Sequence, residues 1–311
     1  MSEKFIKYIK CVGTGPKHNR DLTSEEMHDA IEQILSGIAE PEQIAAFLLG
    51  WRLKPESIEE YRAALNILDS YTKKSSVEDG LELGYPFDGK ADNPYIFTLA
   101  APMVAPFGIN IVISGGALQP SKGGATVRDL YTSLTFPDNL KYYDRSDYCK
   151  PLADLTSIRT KLGLRTGLNT LERLPNVANC DTAIIGVFHK PYVKKYYEIF
   201  GDRYKRLVIV KGNEGTPEIF GKCHIWVCEN GNIEEITLNP LEFGIEYKKS
   251  FTHIDKEISL DMVKNPSEGL MQIAKLNAAV WLFAKEKASS IKEALEKIIK
   301  DSHNYPPNCG T

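Results

Sequence analysis

Two glycine-bearing turns flank an apolar run in the second quarter of the chain, and both have the composition of an anion cradle. The first is Gly84-Tyr85-Pro86-Phe87-Asp88-Gly89-Lys90. The second is Ser114-Gly115-Gly116, followed by Pro120-Ser121-Lys122-Gly123-Gly124-Ala125. Backbone amides in a glycine-rich turn can converge on a negative charge, and the start of a following helix adds its positive dipole end. Ile96 to Ile113, between the turns, is almost wholly apolar, so both turns are expected to hang on one buried element. Two cradles on one element suit a ligand with more than one phosphate. Neither turn matches a Walker A loop or a dinucleotide fingerprint.

Positive charge is the second candidate. Lys190, Lys194, Lys195, Arg203, Lys205 and Arg206 alternate with Tyr192, Tyr196, Tyr197 and Tyr204. That mixture suits nucleic-acid phosphates and stacked bases. An amphipathic helix with half-buried tyrosines accounts for the same pattern. Lys17, His18, Arg20 and Asp21 form a smaller charged cluster, in which Asp21 can serve the amino end of the helix that follows. Cys11, Cys149, Cys180, Cys223, Cys228 and Cys309 form no C-x-x-C pair and have no histidine at metal-ligand spacing, so they read as reduced thiols.

The 311 residues suffice for one large or two modest domains, and 42% hydrophobic with 25% charged residues is an ordinary globular balance. A net charge of −3 implies no global attraction to nucleic acid, leaving only a local patch. No apolar stretch suits a bilayer span, and the charged segment from Met1 to Lys10 lacks the apolar centre of a signal peptide. A cytoplasmic location with no membrane partner is the expectation.

The elements that must position these residues fall into two kinds. Thr23-x-x-Glu26 and Ser57-x-x-Glu60 are capping boxes, each followed by an apolar stripe, and Pro41 opens a helix between them that is expected to end near Gly50. Three short helices would make a small bundle. Past Lys74-Ser75-Ser76, Ile109 to Ile113, Ala183 to Phe188 and Leu207 to Val210 read as buried parallel strands. Ala125 to Leu134 and Pro191 to Phe200 read as the helices between them. Asn230-Gly231 between two strand-like runs signals a hairpin. Two helices end the chain, one through Leu270 to Val280 and one capped by Ser290. The fold expected is α/β: a small N-terminal helical domain, 1–75, joined by a segment near 150–180, and a larger domain, 76–311. The larger domain should have a mainly parallel central sheet and helices on both faces. Ligands in such folds favour domain interfaces and the carboxyl ends of parallel strands.

These motifs together resemble the anthranilate phosphoribosyltransferase and nucleoside phosphorylase class, glycosyltransferase family three. The resemblance is carried by the helical opening from Leu22, by Gly163-Leu164-Arg165-Thr166-Gly167-Leu168-Asn169, by Val210-Lys211-Gly212-Asn213-Glu214-Gly215 and by Leu276-Asn277-Ala278-Ala279. The opening from Val12 to Leu22, Phe87-Asp88-Gly89-Lys90 and Arg165-x-x-x-Asn169-Thr170-Leu171 are similar to a divergent, YbiB-like branch. The resemblance implies a homodimer whose interdomain cleft binds a phosphorylated ribose such as phosphoribosyl pyrophosphate with Mg2+, and transfer of the pentosyl group to a small aromatic acceptor. It assigns the phosphates to Gly84, Asp88, Gly89, Thr98, Ser121, Lys122 and Gly124, the acceptor to Arg165 and the metal to Glu218. It also shows departures. Tyr85, Pro86 and Phe87 replace small residues, Gly116-Ala117 replaces an Asn-Arg pair, and Pro217 replaces the aspartate beside Glu218. A phosphorylase acting on a nucleoside shares the fold. The divergent branch implies another function, a catalytically silent paralogue that binds nucleic acid through basic grooves of the dimer. The surface for that is Lys17, Arg20, Lys190, Lys194, Lys195, Arg203, Lys205 and Arg206.

Overall fold

The computed structural model describes residues 3–120, 122–248 and 252–302. The chain opens with α1 (Glu3–Gly13), α2 (Ser24–Leu35), α3 (Pro41–Leu53) and α4 (Ile58–Ser70). Both capping boxes form as their spacing predicts. Glu60 does more than cap: its carboxylate also accepts from Leu22 N at 3.0 Å, Trp51 Nε1 at 3.1 Å and Lys54 Nζ at 2.9 Å, so one buried acid ties three helices of the bundle. The charged start of the chain, read from its sequence only as lacking a signal peptide, is a helix that buries Phe5 and Tyr8. The middle helix of the bundle runs past Gly50 to Leu53.

The sheet consists of β1 (Gly80–Gly84), β2 (Asn110–Gly115), β3 (Leu140–Asp144), β4 (Thr182–Gly186), β5 (Arg206–Val210), β6 (Cys223–Glu229) and β7 (Asn232–Leu238), in the order β3-β2-β1-β4-β5-β6-β7. The first five are mutually parallel; β6 and β7 run antiparallel as a hairpin. Asn230 and Gly231 turn it with φ of +50° and +80°, the left-handed pair a two-residue hairpin demands. Side chains alternate strictly across the sheet. Leu81, Leu83, Ile111, Ile113, Ile184 and Val208 face a core shared with α5 (Phe97–Val104), α13 (Glu268–Ala284) and α14 (Ile291–Ser302). Val112, Ala183, Ile185, Leu207 and Ile209 face the other core. That second core continues without a break into the helical bundle and the short helices α7 (Arg145–Tyr148), α8 (Lys150–Asp154), α9 (Thr156–Leu162) and α10 (Leu168–Leu171), and includes α11 (Pro191–Phe200). Helices α6 (Val127–Ser133) and α12 (Lys256–Lys264) complete the described elements.

The run Ile96 to Ile113 is not one element. It is α5, which carries Pro102 in its last turn, then a short 3-10 turn and β2. Strand β1 escapes a reading for apolar runs because its five residues are Gly-Leu-Glu-Leu-Gly, with a carboxylate at the centre. That Glu82 is fully buried. Tyr204 OH donates to it at 2.6 Å and Asn176 N at 3.0 Å, yet burial pushes its pKa up to about 7. A second buried charge cluster pins α9 and α10 to the sheet: Glu172 accepts from Arg159 Nη1 and Nη2, both at 2.8 Å, and from Arg145 at the end of β3. All three residues are buried.

Two stability predictions follow from these acids. Replacing Glu172→Gln leaves two buried guanidinium groups without a counter-charge and should cost about 3–5 kcal/mol in urea unfolding. For Glu82 the folded pKa, about 7, lies above the ordinary 4.5. Below the ordinary value both states hold the proton. Between the two values only the folded state does, so stability falls as pH rises through that window and levels off above it. Relative to Glu82→Gln, the parent protein should therefore lose on the order of 3 kcal/mol between pH of about 4.5 and about 8.

Candidate functional site

Strands β1 and β2 are parallel neighbours, and both glycine turns leave from their carboxyl ends. The turns are sewn together. Lys90 N donates to Ala125 O at 2.9 Å and Ala125 N returns a bond to Lys90 O at 3.1 Å. Gly123 N donates to Asp88 O at 3.1 Å, and Gln119 N to Phe87 O at 2.9 Å. The backbones come so close that a Cβ at Gly89 would lie 2.1 Å from Gly123 O, and one at Gly124 would lie 2.2 Å from Lys90 O. Both residues also have positive φ, +84° and +76°. Glycine is required at these two positions by contact and by conformation alike.

Above the turns lies a cavity of about 300 Å³ between the helical bundle and the sheet. Its lining brings Arg52, Lys122, Arg165 and Arg173 against only Asp88 and Glu214 among carboxylates, so it favours an anion. Asp88 is buried at the centre. Arg165 pairs with its Oδ2, and Lys122 Nζ stands 3.7 Å from Oδ1. Lys122 also donates to Glu214 O and lies 5.6 Å from the Phe188 ring. Burial pulls its ammonium below the ordinary lysine value, against the opposing pull of Asp88 and Glu214. Phe87 does not fill the cavity; it is buried at its edge, with the Arg145 guanidinium 5.2 Å from its ring. A larger groove, about 500 Å³, runs between α2 and α4 past Ser24, His28, Glu59 and Arg62. It holds no buried polar side-chain atom without a partner, whereas Asp88 Oδ1, both amide atoms of Asn93, Tyr95 OH, Thr98 Oγ1, Ser114 Oγ and Gln119 Oε1 are all such atoms, gathered on the segments around the glycine turns. Unsatisfied buried polar atoms are costly and call for a partner such as ordered water or a ligand; of these, Asp88 Oδ1 belongs to a residue that lines the cavity.

Arg173 was not singled out from the sequence, although a charged Glu172-Arg173 pair between Leu171 and Leu174 is an odd thing to bury. It is 7% exposed. Its Nη2 reaches Gly84 O at 3.0 Å, Gly186 O at 2.9 Å and Gly215 O at 2.7 Å, and Nη1 donates to Tyr196 OH at 3.2 Å. One guanidinium thus gathers the ends of β1, β4 and the 213–215 turn while keeping Nε–H unpartnered. Among the described residues no carboxylate pairs with it directly, so its charge remains available to the cavity. Arg52, Phe188, Tyr192 and Tyr196 are further lining residues outside the sequence-based site.

The other expected site residues divide. Asp88, Lys122 and Arg165 meet in the cavity. Gly84, Gly89 and Gly124 do not line it; Gly84 O accepts from Arg173, and Gly89 and Gly124 lie at the contact between the two turns. Thr98 sits in the first turn of α5 and does not line the cavity. Ser121 lies outside the described residues, as does Cys309. Glu218, expected as a metal ligand, is wholly buried, pairs with Lys90, and accepts from Tyr85 OH at 2.9 Å and Ile96 N at 2.8 Å. The basic segment is likewise not an open stripe. Arg203 pairs with Asp69 of α4, Lys195 donates to Glu56 O at 3.1 Å, Arg206 binds Glu229 at 2.6 Å, Lys190 binds Glu235 at 2.6 Å and Lys194 lies 3.7 Å from Glu198. Several of these pairs dock α11 and its neighbours onto the bundle. Arg20 forms a two-pronged pair with Glu26, while Lys17 and Lys205 are exposed.

Comparison with known proteins agrees with this architecture. Residues 6–70 match the helical bundle domain of a glycosyl transferase family, and residues 138–304 match that family's a/b domain. An anthranilate phosphoribosyltransferase of Neisseria gonorrhoeae is 28% identical over 305 residues, covering 89% of this chain and 88% of that protein. An uncharacterized protein of Aquifex aeolicus is 27% identical over 294 residues, covering 91% and 94%. Among solved structures, the anthranilate phosphoribosyltransferase of Saccharomyces cerevisiae in complex with PRPP and Mg has a TM-score of 0.77 at 19% identity, covering 98% of this chain and 94% of that one. At that identity the likeness is one of fold.

The close approach of the turns predicts a contrast between two glycines of nearly equal φ. Gly231→Ala meets open space and should cost roughly 1 kcal/mol, the conformational penalty alone. Gly89→Ala adds a collision with a carbonyl and should cost several kcal/mol in urea unfolding.

Proposed function

Because the chain belongs to the glycosyl transferase family, we propose that its cleft binds a phosphorylated ribose of the phosphoribosyl pyrophosphate type and transfers the pentosyl group to a small aromatic acceptor. The observation that carries this reading is the joined pair of glycine turns beneath a cavity in which Lys122, Arg165 and Arg173 outnumber the carboxylates. In such a transfer the acceptor attacks the anomeric carbon and pyrophosphate leaves, so the protein acts mainly by orientation and by stabilising the departing negative charge. Lys122 and Arg173 are placed for the second task. Arg165 is the acceptor-side cation, held by Asp88 until a ligand competes for it. Phe188, Tyr192 and Tyr196 give that side an aromatic wall. Phosphate contacts at Gly84, Asp88, Gly89, Thr98, Ser121, Lys122 and Gly124 belong to the same reading, as do a homodimer and a cytoplasmic setting. The nucleic-acid reading draws less support, since most of its basic residues already face carboxylates of the same chain.

Isothermal titration with phosphoribosyl pyrophosphate tests this proposal. Saturable binding is expected, weakened about 10- to 100-fold by Lys122→Ala with little loss of folding stability, as for a charged hydrogen bond to a phosphate. No heat at millimolar ligand, with or without magnesium, would overturn it.

A further inference from the structure

We propose that the cleft receives its anionic ligand without any divalent cation held by the protein, because Lys90 permanently occupies the carboxylate that would hold one. The proposal deepens the phosphoribosyl-binding reading and rests on it for the identity of the ligand. A protein of this fold is known in complex with PRPP and Mg, so the proposal sets this chain apart from that protein.

Glu218 has no oxygen to offer. Its Oε2 takes the Lys90 ammonium, and its Oε1 takes both the Tyr85 hydroxyl and the Ile96 amide. Both side chains of the pair are fully buried, and neither residue lines the cavity. The ammonium is held in turn: it donates to Pro94 O at 2.8 Å and lies 4.4 Å from the centre of the Phe220 ring and 5.3 Å from that of Tyr95. Its backbone forms the bridge to Ala125, so the residue that supplies this cation also joins the two glycine turns. A metal at Glu218 would have to expel a lysine with no route to water, leaving one buried charge uncompensated.

Glu214 and one oxygen of Asp88 are committed as well, and the other Asp88 oxygen faces the Lys122 ammonium. Glu214 accepts from Ala91 N at 2.8 Å and Asp92 N at 3.1 Å, and Asp88 is paired with Arg165 and Lys122. Position 217, beside Glu218, is a proline. Magnesium wants near-octahedral oxygen ligation, and no group of three or more His, Cys, Asp or Glu is arranged to hold a metal among the described residues. The positive charge that a pyrophosphate meets is therefore supplied by Lys122 and Arg173, fixed by covalent structure and independent of metal concentration.

Electron paramagnetic resonance of Mn2+ titrated into the full-length, ligand-free protein tests the metal claim by itself. No stoichiometric binding is expected; one tightly held Mn2+ per chain would overturn the proposal. Isothermal titration of inorganic pyrophosphate in excess EDTA and again in MgCl2 tests the consequence. Affinity in EDTA should stay within about 3-fold of that in magnesium, under 1 kcal/mol. Binding seen in magnesium and weakened by more than about 3-fold in EDTA would overturn it too. Absence of pyrophosphate binding in both buffers would count against the phosphoribosyl reading instead, and the Mn2+ result would still decide the metal question.

Discussion

Two stretches of backbone meet at Gly89–Gly123 and at Gly124–Lys90 more closely than any side chain permits, and the rest of the site is built outward from that contact. The bridge between Lys90 and Ala125 fixes where each turn begins. It sets Asp88 at the cavity floor and Lys122 beside it, and it commits Lys90 to the interior. Arg173 closes the arrangement from the other side by holding the carbonyls of Gly84, Gly186 and Gly215. The cavity is therefore a property of backbone geometry first. Its charges are attached to positions that the backbone has already fixed.

Charge burial is the second organising constraint. An ionised group taken out of water requires a partner in good geometry. The chain meets that demand at Lys90–Glu218, at Arg145–Glu172–Arg159 and at Arg203–Asp69. Lys90–Glu218 and Arg203–Asp69 join residues 128 and 134 positions apart, whereas the Glu172 triad ties neighbouring short helices together. Arg173 is the exception. It is satisfied by carbonyl and hydroxyl oxygens, which solvate a cation without neutralising it. A positive potential thus persists where four basic side chains converge, and that asymmetry gives the cleft its preference for anions.

The departures from the family's pattern take on physical meaning in this setting. Phe87, bulky where the resemblance implies a small residue, lies against Arg145 at the cavity's edge rather than across it. Tyr85, in the same turn, is a hydrogen-bond donor to Glu218. With Pro217 beside it, Glu218 has no adjacent acid, and its own carboxylate is answered from within the chain by Lys90. The fold of the family is preserved while the carboxylate of Glu218 is answered by Lys90.

The sequence by itself determined what depends on near neighbours. The capping boxes at Thr23 and Ser57, the Asn230-Gly231 hairpin, the apolar strands β2, β4 and β5 and the glycine turns were all legible, because the forces that make them act over a few residues. Strand β1 was not, since its five-residue pattern with a central glutamate becomes a buried strand only when two neighbours cover it and Tyr204 and Asn176 satisfy its carboxylate. Charge was the least legible quantity. Composition left Lys190 to Arg206 as either a basic stripe or an amphipathic helix, and only the resemblance offered Glu218 to a metal; tertiary packing brings Asp69, Glu229 and Lys90 to these residues from distant segments. Arg173 passed unnoticed for the same reason. A side chain's type is written locally, but whether its charge is cancelled depends on what the fold places within a few ångströms of it, and that distance exists only in three dimensions.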